Sequence, residues 1–234
     1  MATPLPERLR HPAIWRVSDV QPAQRAGIPT GYAVLERELP EAGWPAGALT
    51  ELLTHEGIGE LSLITPALRA ITEQGKHIAL IASPYLPYAR ALEAAGLPLP
   101  RVLLVDVDGL DALWAAEQAL RSGACGMVAL WAMRGRSPDY RSLQRLHGAA
   151  ARGDAACVLY RGPDARTTPS PAPLRLALHA RVGHLHVEIL KRRGALSSRP
   201  VVLTPFPLHW IARSESSATA TAALPSVRSA TRSA

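Results

Sequence analysis

The chain has 234 residues, which is enough for one α/β domain with a substantial core and additional tails. Apolar residues make up 47% of it and charged residues 19%, so a wholly disordered chain is excluded, and no apolar run approaches the length of a membrane span. The net charge is +7, and arginine supplies nearly all of it because Lys76 and Lys191 are the only lysines. This balance predicts an acidic partner, either nucleic acid or an acidic protein face, although a role in solubility alone would also explain it.

The two ends differ in composition from the middle. Residues 1–27 are rich in proline and arginine and have no apolar core of a secretory signal, so we interpret them as an N-terminal extension of a cytoplasmic protein. Residues 213–234 are mostly serine, alanine and threonine, which predicts a disordered tail. Cys125 and Cys157 lie in apolar runs and are expected to be buried thiols in a reducing cytosol.

Strands and helices are predicted to alternate between these ends. The run "ALTELLT" (48–54) predicts a buried strand. The stretch "GELSLITPALRAITEQG" (59–75) repeats apolar residues at helical spacing, and Pro66 indicates that this helix begins near residue 66, where a proline is tolerated. Further strands are expected at 77–82, 101–106, 125–132 and 155–161, and further helices at 88–96, 109–123 and 139–153.

The helix over 109–123 is expected to follow Asp108 as its N-cap and to carry Leu110, Leu113, Trp114, Glu117 and Leu120. After residue 170 the pattern changes to two or three β-strands, with Val182-Gly183 as the tip of a hairpin. The alternation predicts an α/β fold with a mostly parallel sheet covered by helices, and a C-terminal antiparallel β-hairpin extension.

A phosphate loop is expected between the first strand and the first long helix, but its sequence is degenerate. The motif G-x-x-x-x-G-K-[ST] uses glycines to wrap phosphates, a lysine to neutralise them and a hydroxyl to hold Mg²⁺. The window here keeps the second glycine as Gly59, with Gly57 two residues before it. The first glycine, the lysine and the hydroxyl residue are replaced by Thr54, Glu60 and Leu61. A carboxylate at the lysine position would repel phosphates, so we expect no nucleotide cofactor. An ordinary strand-to-helix turn is the alternative interpretation.

Several stretches resemble RecA-type recombinases. They are Thr30-Gly31, Leu35-Glu36 and Gly43-Trp44-Pro45-Ala46-Gly47 before the loop, residues 88–105 after it, and "LRLALHARVGHLHVEILKRRG" near the end. The resemblance covers residues 28 to about 205 and implies a RecA-like three-layer domain, which we place at 28–212. Where that family would carry a water-activating glutamate and a Mg²⁺-linked aspartate, this chain has Ser83 or Pro84 and Trp131. The resemblance therefore implies a fold without ATPase chemistry.

A more specific resemblance is to the ImuA family, which is related to the cell-division inhibitor SulA. It rests on "GWPAGALTELL", "GIGEL", the P-x-L-x-x-L/I pattern of the next helix and "LHVEILKRRG". It implies a non-enzymatic role in SOS-induced translesion synthesis, with the ImuB-like relative of Y-family polymerases and an error-prone C-family polymerase subunit as partners. RecA and single-stranded DNA are further candidate partners, with nucleoid association on induction. The alternatives are a SulA-like inhibitor of FtsZ and a RecA-like ATPase.

Two basic groups are candidate contacts for DNA phosphates or for an acidic partner, and a merely solvated surface is the alternative. The first group surrounds the start of the predicted helix 139–153 and consists of Arg134, Arg136, Arg141 and Arg145. The second group follows the end of a predicted strand and consists of Lys191, Arg192 and Arg193. His184 and His186 share one side of a strand, but no third ligand accompanies them, so we expect exposed histidines and no metal. Asp106 and Asp108 could mimic a Mg²⁺-binding strand end, yet helix capping explains them more simply.

Overall fold

A computed structural model describes residues 26–133, 137–194 and 199–204 of the chain. Its centre is one eight-stranded sheet with the strand order β3-β2-β4-β5-β1-β6-β7-β8. The strands are β1 Leu49–Leu53, β2 His77–Ile81, β3 Val102–Val105, β4 Cys125–Trp131, β5 Ala156–Arg161, β6 Leu174–Arg181, β7 His184–Lys191 and β8 Val201–Leu203.

The sheet is parallel from β3 to β6 and antiparallel from β6 to β8. β1, β2, β4 and β5 are buried along nearly their whole length, as expected for parallel strands covered on both sides. β6 and β7 form the predicted hairpin with Val182 and Gly183 at its tip, and the register pairs Leu178 with Val187. The predicted α/β architecture with an antiparallel C-terminal extension is therefore confirmed.

Helices on both faces complete three layers. They are α1 Ala33–Glu36, α2 Glu60–Glu73, α3 Ala89–Ala94, α4 Gly109–Arg121 and α5 Tyr140–Gly153, with 3₁₀ turns at Leu99–Arg101 and Pro163–Thr167. α1, α2 and α3 pack on one face, where the core includes Leu63, Leu68 and Ile78. α4 and α5 pack on the other, where it includes Leu120, Val128 and Leu146. Cys125 and Cys157 are buried and free, and burial raises the pKa of Cys157 to about 12.

The prediction that α2 begins near Pro66 is wrong, because the helix begins at Glu60 and Pro66 lies inside it. A proline within a helix leaves the carbonyl four residues earlier without its N–H donor. Here that carbonyl belongs to the buried Ser62, and it accepts a hydrogen bond from the Tyr32 hydroxyl at 3.2 Å. Gly31 allows the close approach, since a Cβ there would lie 2.4 Å from the Pro66 Cβ. Tertiary contacts thus supply what the proline removes.

The segment before β1 explains part of the RecA-like pattern in physical terms. The Glu36 carboxylate accepts hydrogen bonds from the backbone N–H groups of Thr30 and Gly31, at 2.8 and 3.2 Å, and from the Thr30 hydroxyl. Leu35 and Trp44 are fully buried beside this turn. The "TG" and "LE" pairs therefore close one turn, and Trp44 seals the core.

The helix α4 was predicted in place, but its surface differs from the expectation in two ways. Asp108 occupies the N-cap position, yet its side chain makes no capping hydrogen bond within the described residues. The buried positions of the helix are Ala112, Ala116, Glu117 and Leu120, whereas Leu110 and Trp114 are exposed. Small alanines face the sheet, so two large apolar side chains point outward.

None of the helices in the described ranges is long and apolar enough to cross a membrane. Residues 1–25 and 205–234 lie outside the described residues, and with them the predicted N-terminal extension, the proposed domain end at residue 212 and the tail at 213–234. These boundaries stay predictions.

Candidate functional site: a closed phosphate loop

The degenerate phosphate loop joins the end of β1 to the start of α2. Thr54, the residue at the first-glycine position, is fully buried, and its N–H donates to the Arg161 carbonyl of neighbouring β5. Gly57 and Gly59 have φ angles of 77° and 91°, in the left-handed region that favours glycine, and Gly59 is the N-cap of α2. The backbone thus keeps the shape of a strand–loop–helix turn, while its side chains differ from the phosphate-binding pattern.

Glu60, at the lysine position, points into the protein and is 5% exposed. Its carboxylate accepts a hydrogen bond of 3.4 Å from the indole Nε1–H of Trp131, the last residue of β4. The Tyr160 hydroxyl donates to the Glu60 backbone carbonyl at 3.1 Å, and the rings of Trp131 and Tyr160 stack with centroids 4.6 Å apart. We call Glu60, Trp131 and Tyr160 the loop plug.

The electrostatics of the plug oppose phosphate binding. A carboxylate in the first turn of a helix is stabilised by the partial positive charge of the helix N-terminus, which elsewhere attracts phosphates. Burial raises the pKa of Tyr160 well above its usual range, and the Glu60 carboxylate adds to this effect, so the phenol stays neutral. Two stacked rings and an acid are thus packed together at the start of α2.

The two other expected catalytic positions lie at the same edge of the sheet. β2 and β4 are neighbours, and a cleft at their carboxyl ends is lined by Ser83, Pro84 and Trp131. Among the described residues that line this cleft, the ionisable ones are Glu56, Asp106 and Asp108, while Arg134 and Arg136 lie outside the described residues. The structure therefore places Ser83, Pro84 and Trp131 around one cleft.

A second buried ionic cluster, which sequence reasoning missed, lies on the other face of the sheet. Glu51 in β1 is fully buried and accepts hydrogen bonds from Arg161 at 3.2 Å and from Arg175 at 2.7 Å. Ser170 donates to the same carboxylate at 2.8 Å, while Arg175 also donates to the Ala165 carbonyl. The sequence did carry one sign of this cluster, because Glu51 is the only charged residue in the apolar run 48–54 that predicts a buried strand. This cluster ties β1 to β5 and β6 directly below the loop.

A histidine that the sequence did not single out holds the other end of β1. His147 in α5 accepts the Leu49 backbone N–H through Nδ1 at 3.2 Å. Burial lowers its pKa, and the positive charges of Arg193 and Lys191 lower it further. The ring therefore acts as a neutral acceptor at neutral pH.

The predicted basic groups are only partly available as free charges. Arg134 and Arg136 lie outside the described residues. Arg141 is exposed on α5, whereas Arg145 donates to the buried carboxylate of Glu117 in α4, with an Nε–Oε2 distance of 3.0 Å. At the end of β7, Lys191 donates a hydrogen bond to the Ser170 carbonyl. The Arg192 guanidinium contacts both the backbone carbonyl and the carboxylate of Glu38, and the Arg193 guanidinium lies 3.6 Å from the Glu41 carboxylate. This second group ties the hairpin to the segment after α1.

Metal binding has no support in the part of the chain that the structure describes, which contains no group of three or more His, Cys, Asp or Glu side chains suited to an ion. His184 is exposed and His186 half-buried on the outer side of β7. His186 is paired in register with His179, and His179 lies 3.8 Å from Glu188, which also binds Arg166.

No known protein-family profile matches the chain. The chain is similar to curated proteins named Protein RecA from Francisella tularensis, among them those of subspecies novicida (strain U112), tularensis (strain WY96-3418) and holarctica (strain FTNF002-00 / FTA). Each is 26% identical over 128 residues, which is 54% of this chain and 36% of the relative. The chain therefore spans about a third of the length of the curated relatives it matches. Together with the sheet topology, this similarity supports a distant RecA-like relationship.

Proposed function

We propose that this RecA-like protein is a non-enzymatic accessory of SOS-induced translesion synthesis, a scaffold that binds other macromolecules and hydrolyses no nucleotide. The observation that carries the proposal is the loop plug. A carboxylate buried at the lysine position would repel a triphosphate by several kcal/mol at an effective dielectric constant of about 20. The fold is kept, and the residues that nucleotide chemistry requires are replaced.

The proposed partners follow from the resemblance to the ImuA family. They are an ImuB-like relative of Y-family polymerases and an error-prone C-family polymerase subunit, with RecA and single-stranded DNA as further candidates. The net charge of +7 suits an acidic partner. Of the described basic residues named for contact, Arg141 and the exposed parts of Lys191 and Arg193 suit this role best, because Arg145 and Arg192 already bind buried or half-buried acids.

The first test concerns nucleotide. Isothermal titration calorimetry of the full chain with Mg-ATP is expected to give no binding heat, with a nucleotide-binding recombinase as the positive control. Micromolar binding would overturn the non-enzymatic assignment and favour a RecA-like ATPase.

The second test concerns the pathway. We expect deletion of the gene to lower DNA-damage-induced mutation frequency while cell length stays normal, and the chain to co-purify with the ImuB-like protein of its own genome. Unchanged mutation frequency together with filamentous cells on overexpression would favour a SulA-like inhibitor of FtsZ instead. If DNA is bound directly, affinity should fall steeply between low and moderate salt.

A further inference from the structure

The β6–β7 hairpin extends past the strand beside it. β1 pairs with β6 as far as Ala177, whereas β6 continues to Arg181 before the turn at Val182-Gly183. Because β6 is parallel to β1, the hairpin tip stands at the same edge of the sheet as the degenerate phosphate loop. Leu178 and Val187 bury one side of the hairpin in the core, so the side chains of the opposite side point outward.

Four side chains share this outward side near the tip. Residues directly opposite each other in an antiparallel pair lie on the same side of the sheet, and the sides alternate along each strand. The register pairs His179 with His186 and Arg181 with His184. His186 is half-buried and the other three are exposed. We call these four residues the hairpin strip: His179, Arg181, His184 and His186.

The charge of the hairpin strip is positive. Glu188 is the one acid in β6 and β7, and its carboxylate accepts two hydrogen bonds from Arg166, at 2.8 and 2.5 Å. Hydrogen bonding to Arg166 holds the pKa of Glu188 below its usual value, and His179 lowers it further, so Arg166 already balances an ionised acid. Arg181 has no ion-pair partner among the described residues. Histidine gains charge between about pH 8 and pH 5, so acidification adds to the positive charge.

The chemistry of the strip favours one class of partner. The centre of a protein–protein interface is typically apolar, whereas the strip contains no aliphatic side chain. Single-stranded nucleic acids bind through phosphates that contact cations and through bases that stack on flat side chains, including imidazole rings and guanidinium groups. Three imidazoles and an unpaired guanidinium on the outward side of a hairpin supply both kinds of contact.

We propose that the hairpin strip is a contact surface for single-stranded nucleic acid. Phosphates would pair with Arg181 and with protonated histidines, and bases would stack on the imidazole rings. Binding should therefore tighten as pH falls, because bound phosphates favour the charged form of histidine. The inference deepens the proposed function, in which single-stranded DNA is a candidate partner, and rests on that function for its biological meaning. DNA and RNA share this phosphate and base chemistry, so the test includes both.

The test measures fluorescence polarisation of the full chain with labelled oligothymidylate and oligouridylate of about 20 nucleotides, and with a labelled polyglutamate peptide. Both oligonucleotides are expected to bind, and the peptide is not. Arg181→Gln should weaken binding by about fivefold and reduce the slope of log affinity against log salt by about 0.7, the value for one lost phosphate contact. His179→Gln/His184→Gln should remove most of the gain in affinity between pH 7.5 and pH 6.0.

Arg90→Gln is the charge-matched control, because Arg90 is exposed on α3, on the opposite face of the sheet, and His55→Gln is the control for an exposed histidine. All substituted residues are exposed, so circular dichroism and urea midpoints should match those of the parent chain. No binding of either oligonucleotide, or equal affinities of Arg181→Gln and Arg90→Gln, would overturn the proposal. Equally tight binding of polyglutamate would also overturn it, by making an acidic protein the partner. Unchanged mutagenesis after gene deletion would overturn the proposed function and leave this surface unaffected.

Discussion

Two buried glutamates lie close together in the chain, and their surroundings differ. Glu51, in the middle of β1, is held by the guanidinium groups of Arg161 and Arg175. Glu60, at the start of α2, has the neutral indole of Trp131 as the donor to its carboxylate among the described residues. The first carboxylate joins three strands through two arginines, whereas the second has no arginine among the donors that the structure describes. Burial of an acid alone therefore does not indicate its role, since the donors around it differ between the two sites.

The difference between the two glutamates predicts that Glu51→Gln lowers the free energy of unfolding more than any other substitution considered below. Removing one charge from a buried ionic cluster leaves two arginines, 2% and 10% exposed at their side chains, without their counter-charge. Such a change costs about 3–5 kcal/mol. We expect a loss of this size in the free energy of unfolding measured by urea denaturation.

Glu73→Gln is the matched control for that experiment, because Glu73 pairs with Arg69 on the exposed surface of α2. Exposed pairs contribute about 0–1 kcal/mol, so this variant should unfold close to the parent chain. An equal loss of unfolding free energy in the two variants would mean that the buried cluster stabilises the fold no more than an exposed ion pair does.

The next largest effect tests the opposite end of β1. His147 has a lowered pKa, so its neutral form stabilises the fold fully above the ordinary value of about 6.5 and less as pH falls toward the lowered value. We therefore expect the unfolding free energy to fall between pH 7 and pH 5 through this residue. His147→Asn offers an acceptor that does not titrate, so its pH profile should be flatter. Parallel profiles would contradict the assigned role of the Leu49 contact.

The smallest change in stability is expected for substitutions of Glu60, the second glutamate of the comparison. Glu60→Gln keeps the size of the side chain and removes a charge that one long hydrogen bond supports, so stability should change by no more than about 1 kcal/mol. Glu60→Lys should still give no Mg-ATP heat in calorimetry, because Trp131 and Tyr160 continue to occupy the site. Micromolar binding by Glu60→Lys would show that charge alone, and not the aromatic stack, closes the loop.

Much of the fold was predictable because continuous apolar strands and helical spacing are local properties of the sequence. The mostly parallel sheet and the hairpin tip at Val182-Gly183 followed from the order and composition of the strands. The start of α2 did not, because Tyr32 satisfies the carbonyl freed by Pro66 from thirty residues away. The Glu51 cluster was missed for the same reason, since its arginines lie 110 and 124 positions along the chain.

The outward side of α4 shows a different limit. Periodicity predicted a helix with apolar residues, but it could not tell which of them face the sheet. Ala112 and Ala116 are buried in the core beside β4, whereas Leu110 and Trp114 are exposed. The pattern named Arg145 and Arg192 as candidate contacts for DNA or a partner, and it could not show that Glu117 and Glu38 from distant elements bind them.

The hydrogen bond from Tyr32 to Ser62 has a consequence for how the chain is synthesised. Tyr32 leaves the ribosome before Pro66, so the hydroxyl that completes α2 is already available when the helix emerges. A truncated chain starting after residue 32 would leave the Ser62 carbonyl buried without that donor, at a cost of about 1–3 kcal/mol. We therefore expect shortened versions of the chain to be more stable when they keep Tyr32 than when they begin after it.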